Sequence, residues 1–226
     1  MRGVFVTGTD TGAGKTVVAG AICAALVARG ERVAAFKPVV TGLDDEPGEW
    51  PPDHELLAAA AGAAAGDVTP YTFGPAVSPH WAAELEGRPI EPQRLVDAAR
   101  KAGAAADTLI CEGVGGLLVP LTAGYSVRDL AVDLGLPVVV VARTGLGTIN
   151  HTLLTVEAAR TAGLTVAGIV MTPWPEEPEP IELSNRETVE RLAGVPVSGL
   201  PAATPDTLAE AGKALPVDEW RMSAGE

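Results

Sequence analysis

The chain has 226 residues, enough to bury one large core, and its size suits one or two domains. Apolar residues make up 47% and aromatics only 4%, so Ala, Val and Leu must do most of the packing. A formal net charge of −13 argues against a nucleic acid or an anionic membrane as partner, since both need a basic face.

In chain order, residues 3–7 are an apolar run that reads as a short buried strand, and residues 15–29 an Ala-rich segment with helical periodicity. They flank Gly8-Thr9-Asp10-Thr11-Gly12-Ala13-Gly14-Lys15-Thr16. Glycines let backbone N–H groups turn inward around phosphate oxygens, and the start of a helix adds partial positive charge. Lys15 supplies a mobile charge for the outer phosphates, and the Thr16 hydroxyl can hold Mg²⁺. Thr9 stands where the strict phosphate-loop pattern has glycine. A Gly-rich turn with a chance Lys-Thr is the plainer alternative, but the order strand, loop, helix favours a nucleotide.

Further strands are expected at residues 32–38, 108–112, 137–142, 166–172 and 197–201, and helices at 53–65, 148–162 and 184–193. Val-rich strands spaced by helices indicate a parallel sheet covered on both faces, hence a single-domain α/β phosphate-loop fold over residues 1–226. Pro-rich stretches at 44–52 and 173–180 read as surface loops after strand ends, where open α/β sheets place ligands. Cys23 and Cys111 read as small buried apolar residues. With no signal-peptide pattern and no membrane-length apolar run, a soluble cytoplasmic protein is expected.

Two strand ends carry chemistry. Lys37-Pro38-Val39-Val40-Thr41-Gly42 follows the apolar Val33-Ala34-Ala35-Phe36, so the stem of Lys37 starts in the sheet and is unlike a solvated lysine before a turn. Glu112-Gly113-Val114-Gly115-Gly116 closes the strand at 108–112; a carboxylate followed by glycines suits a Mg²⁺ ligand with backbone lying against a ligand. Asp53 reads either as the N-cap of its helix or as a second Mg²⁺ ligand, and spacing alone favours the cap. Thr16, Asp53 and Glu112 together can supply hard oxygen donors. His54, His80 and His151 lack metal-ligand spacing, and no G-x-S-x-G is present.

Together the segments resemble the ATP-dependent dethiobiotin synthetases. The matching pieces are V-T-G-T-D-T-G-A-G-K-T (6–16), K-P-V-V-T-G (37–42), P-Y-T-F (70–73), S-P-H (78–80) and E-G-R-P-I (86–90), followed by E-G-V-G-G-L-L-V-P-L (112–121) and G-L-G-T-I-N-H-T-L-L-T (145–155). The likeness covers nearly the whole chain and weakens after Met171. The resemblance implies a ligase that joins CO₂ to 7,8-diaminopelargonic acid and closes a ureido ring with ATP, through a carbamate and a carbamic–phosphoric anhydride. Lys15 and Lys37 are then catalytic, Thr16, Asp53 and Glu112 hold Mg²⁺, and the cap reading of Asp53 gives way to the metal one. Gly12, Ala13, Gly14, Val17, Gly113, Val114 and Gly115 join them around the nucleotide, with Thr172, Pro173, Leu200, Pro201 and Ala202 near the base. Thr11, Thr41 and Gly116 meet the diamine or its carbamate. The family's homodimer implies that Leu146, Thr148 and Asn150 receive the substrate's tail carboxylate from the neighbouring subunit, although Thr148 also reads as an ordinary N-cap.

Two positions depart from the family. Thr172-Pro173 stands where many relatives carry an Asn-Asp pair that reads adenine, so weak base discrimination is expected, with CTP or GTP able to replace ATP. Val114 is a mild enlargement over the usual Ala. A partitioning-type switch ATPase fits less well, because its extra loop lysine would fall in Thr9-Asp10-Thr11 and the tail at 218–226 is acidic. A corrinoid-type amidoligase would need a glutaminase domain for which the chain has no room.

Overall fold

The computed structural model describes residues 1–46, 48 and 50–222. Positions 47 and 49 of the expected Pro-rich loop, and 223–226 of the acidic tail, lie outside the described residues.

The strands β1 (Gly3–Gly8), β2 (Val33–Phe36), β3 (Thr108–Gly116), β6 (Val138–Ala142), β7 (Val166–Trp174) and β8 (Val197–Pro201) form one six-stranded sheet in the order β2-β3-β1-β6-β7-β8. Every pairing in it is parallel. A short antiparallel ribbon, β4 (Pro120–Thr122) with β5 (Tyr125–Ser126), lies apart from it.

The two-residue period of a strand explains the layering. Phe5, Leu109, Cys111, Val138 and Val140 face α5 (Pro92–Ala104), α6 (Val127–Leu134), α7 (Thr148–Thr161) and α8 (Pro180–Ala193). Their alternates Val4, Val6, Ile110, Val139 and Val141 face α1 (Lys15–Ala28), α2 (Asp53–Ala61), α9 (Leu208–Gly212) and α10 (Val217–Met222). Phe5, Leu109 and Ile110 are wholly buried, and burying each such side chain contributes roughly 1.5–3 kcal/mol. A one-residue slip would exchange these two faces, so the packing holds the register that the site needs.

The structure revises several boundaries. The strand expected at 108–112 continues to Gly116, with Gly8 opposite Gly116 after an irregularity. That expected at 166–172 continues to Trp174, so Pro173 lies within β7 and not in a surface loop. The helix at Asp53 ends at Ala61, where Gly62 adopts φ 68°, and α3 (Ala65–Val68) follows separately. Helix α8 begins at Pro180, four positions before the expected start, behind a reciprocal Glu179–Glu182 capping arrangement. Helices α4 (Pro79–Leu85), α5 and α6 were not expected at all; α6 opens with Ser126 and Asp129 capping each other.

Candidate active site

The register at the C-terminal edge of the sheet assembles the reactive groups. Phe36 pairs with Cys111, so the next residues, Lys37 and Glu112, lie side by side. Phe36 and Cys111 face one layer, and Lys37 and Glu112 turn to the other, beneath the start of α1 where Lys15 and Thr16 lie. Lys37 Nζ contacts Glu112 Oε1 at 2.6 Å and Asp53 Oδ2 at 2.5 Å. Thr16 donates its hydroxyl to Glu112 Oε1 at 2.9 Å.

The cap reading of Asp53 is corrected here. Pro52 occupies the N-cap, Asp53 is the first helical residue, and no side chain caps the helix. Lys37 claims the carboxylate instead. Thr148 is likewise no side-chain cap: Gly147 takes that place at φ 92°, and Thr148 donates its hydroxyl to the Arg143 carbonyl at 2.6 Å.

Burial sets the charges. It disfavours the Lys37 ammonium, but Glu112 and Asp53 outweigh it and hold the pKa above the ordinary lysine value. Burial also opposes ionisation of Asp53, and again Lys37 wins, keeping this carboxyl below its usual range. For Glu112, which is 0% exposed, burial prevails and pushes the carboxyl up despite Lys37. Lys15 is shifted down, chiefly by burial.

The phosphate loop depends on two left-handed glycines, Gly12 at φ 71° and Gly14 at φ 94°. Thr9 N–H donates to the Val141 carbonyl at 2.9 Å, tying the loop to β6. Lys15 Nζ donates to the Asp10 carbonyl at 2.9 Å, and Arg143 Nη2 to the Thr11 carbonyl at 3.1 Å. Gly14 also lies tight beneath β7, since a Cβ added there would meet Thr172 Cγ2 at 2.5 Å.

Two cavities meet over this loop. The first, of about 690 Å³, is lined by Thr11, Lys15, Thr16, Lys37, Thr41, Asp53, Glu112, Val114 and Gly115. The second, of about 600 Å³, is lined by Ala13, Arg143, Thr172, Pro173, Pro201 and Ala202. Gly12, Gly14, Val17 and Trp50 border both. A molecule with an apolar base at one end and phosphates at the other fits across this junction.

Not every expected residue converges. Leu200 is wholly buried in the core, and Thr172 reaches the loop through its methyl group. Gly113 backs onto Val127 and Phe5, and neither it nor Gly116 lines either cavity. Leu146 is 94% exposed, Asn150 is exposed and Thr148 is buried, and all three lie outside both cavities. Trp50 and Arg143 went unrecognised in the sequence. For Arg143 the signal was present: it directly follows an apolar strand, as Lys37 does.

A divalent cation fits Thr16, Asp53 and Glu112. Glu112 Oε2 is buried without a hydrogen-bond partner, a donor in need of a cation. Among the described residues no three His, Cys, Asp or Glu side chains gather to hold a metal. The remaining ligands would therefore be phosphate and water oxygens, the usual habit of Mg²⁺.

The architecture is similar to the cell division ATPase MinD of Pyrococcus furiosus, with a TM-score of 0.56 and 19% identity over 99% of this chain and 92% of that one. It is similar also to the MinC:MinD complex of Aquifex aeolicus, with a TM-score of 0.59 and 13% identity over 100% and 97%. These likenesses concern the fold alone. Residues 2–203 match a family described as an AAA domain. The ATP-dependent dethiobiotin synthetase BioD of Anaeromyxobacter dehalogenans is 50% identical over 194 residues, covering 85% of this chain and 86% of its own. That of Bacillus subtilis is 37% identical over 202 residues, covering 88% and 87%. At such identity over most of both chains, this protein belongs to the ATP-dependent dethiobiotin synthetase family.

Proposed function

We propose that this chain is an ATP-dependent dethiobiotin synthetase, which carboxylates 7,8-diaminopelargonic acid with CO₂ and closes the ureido ring. The observation that carries the reading is the buried Lys37–Glu112 contact beside Lys15 and Thr16, in the wall of the larger cavity over the phosphate loop. One substrate amine adds to CO₂ and loses a proton, giving a carbamate. A carbamate oxygen attacks the γ-phosphorus, and ADP departs. The second amine attacks the carbamoyl carbon, loses its proton and expels phosphate as the ring closes.

No covalent bond to the protein is required, so the side chains position the reactants and stabilise charge. Lys37 holds the carbamate and faces the transferring phosphoryl group. Lys15 leaves the Asp10 carbonyl to bridge the β- and γ-phosphates. Thr11 and Thr41 hydrogen-bond the diamine or its carbamate from the walls of the larger cavity. Thr16, Asp53 and Glu112 would hold Mg²⁺, which when bound neutralises charge on the phosphates. Val17, Thr172, Pro173, Pro201 and Ala202 flank the base.

The protein acts in the cytoplasm as a homodimer, with residues 1–226 as one domain. Leu146 and Asn150, exposed and outside their own protomer's cavities, receive the substrate tail of the neighbouring subunit together with the helix start at Thr148. The test is incubation with ATP, Mg²⁺, labelled bicarbonate and 7,8-diaminopelargonic acid. Acid-stable label in dethiobiotin with stoichiometric phosphate release supports the reading. ATP hydrolysis indifferent to the diamine and stimulated by DNA or lipid refutes it.

A further inference from the structure

Beyond the residues already given roles, Arg143 is a cation built into the mouth of the phosphate loop. Strand β6 pairs with β1, Val141 lying opposite Gly8, so its end opens beside the loop. Arg143 Nη2 bonds the Thr11 carbonyl, and a Cβ on Gly12 would lie 3.4 Å from the same nitrogen. Asp10 Oδ2 is 4.0 Å away. The segment carrying Arg143 is fixed from two helices: Thr148 bonds its carbonyl, and the buried Asn185 donates Nδ2 to the carbonyls of Thr144 and Gly145 at 2.9 and 3.2 Å.

The distribution of cations gives this residue its task. Lys15 and Lys37 line the larger cavity, whereas Arg143 lines the smaller one, where the apolar walls suit a base. A triphosphate laid across the junction therefore meets the lysines at its outer end. Its inner phosphates pass Gly12 and Gly14 near the acidic Asp10, in a protein of net charge −13. Arg143 offsets Asp10 there. Its planar fork uses one N–H on the Thr11 carbonyl and keeps others for an anion.

We propose that Arg143 is a nucleotide-binding residue that grips the inner phosphates of the nucleoside triphosphate from the base side of the loop. The proposal rests on the nucleotide reading given above. It is tested with the intact protein by titrating ATP, ADP and adenosine into wild type, R143A, R143Q and R143K at several salt concentrations. We expect R143A to weaken ADP and ATP about tenfold and adenosine less than twofold, with a shallower salt dependence than wild type. R143Q, able to keep a donor for Thr11 without the charge, should resemble R143A, and R143K should recover part of the loss. In ring closure the KM for ATP should rise by the same factor while kcat changes less. ADP affinity within twofold of wild type in R143A would overturn the proposal. So would equal weakening of adenosine and ADP, or full rescue by R143Q, since either would leave only a prop for the loop. A wild-type protein that binds no nucleotide would instead bring down the underlying reading.

Discussion

Substituting Gly14 by alanine separates two physical costs that the phosphate loop carries at one residue. The backbone there has φ 94°, where an L side chain is strained by roughly 1–2 kcal/mol. The new Cβ would also lie 2.5 Å from Thr172 Cγ2, a methyl on a buried residue of β7. Overpacking of this kind costs roughly 1–3 kcal/mol. The sum, about 2–5 kcal/mol, lowers Tm by some 4–20 °C in a chain of this size. Removing the methyl isolates the second cost. In Gly14→Ala with Thr172→Ala, the nearest neighbours of the new Cβ become Thr172 Cβ at 3.9 Å and Val141 Cγ1 at 4.0 Å, both ordinary contacts. Chemical unfolding of wild type, the two single variants and the double variant should give a favourable coupling of about 1–3 kcal/mol. Nucleotide affinity should stay impaired in the double variant, because the strain at φ 94° persists. Coupling near zero would refute the steric argument, and wild-type nucleotide affinity in Gly14→Ala would refute the conformational one.

Lys37→Ala should lower ring closure by about 10²–10³-fold, the usual cost of removing one group that stabilises transition-state charge, while ATP affinity by calorimetry stays within a few-fold. A loss of affinity matching that of Lys15→Ala would contradict the separate roles of the two lysines. The same variant removes the cation in contact with buried Glu112 and leaves only Lys15 nearby, and unfolding should show destabilisation of up to about 3–5 kcal/mol. In a panel of nucleoside triphosphates, the base cavity with Pro173, Pro201 and Ala202 should allow CTP or GTP to support comparable rates; a strong preference for ATP would refute this. Helix α10 should loosen in acid. Hydrogen bonds from Arg221 hold the Glu31 and Asp218 carboxyls below their ordinary values, so their contribution is complete above about pH 5 and is lost as pH falls through the ordinary and then the lowered range. Hydrogen exchange of α10, corrected for intrinsic rates, should rise on acidification before that of β6, and Arg221→Met should abolish the difference.

Much of the sheet was legible because a strand buried on both faces announces itself as an apolar run: Val138–Ala142 contains only Val and Ala and is buried throughout. Helix α5 was not legible by the same rule. Its buried positions are only Leu95, Val96 and Ala99, set among charged residues and alanines, and its identity rests on periodicity and on Pro92 at its start. The extension of β3 through Gly113 to Gly116 had no local signal either. Glycine opposes strand formation on its own; the strand runs on because Gly8 pairs with Gly116 across an irregularity that includes Gly115 at φ 59°, and Gly113 must be glycine because Val127 leaves no room for a Cβ.

Asp53 shows most clearly where a sequence stops and a fold must decide. An aspartate before an Ala-rich helix satisfies the rules for an N-cap, and spacing cannot say that Pro52 takes that place instead. The choice is made by Lys37, sixteen positions earlier, whose ammonium at the end of β2 reaches both this carboxylate and that of Glu112 on the neighbouring β3. Arg143 and Lys37 obey one rule, a cation placed directly after an apolar strand, and they come to opposite sides of the phosphate loop because β6 lies on one side of β1 and β2, one strand removed, on the other. A strand-end cation in an acidic protein is therefore worth testing for a ligand wherever its strand lies beside the one that carries the phosphate loop or one strand removed from it.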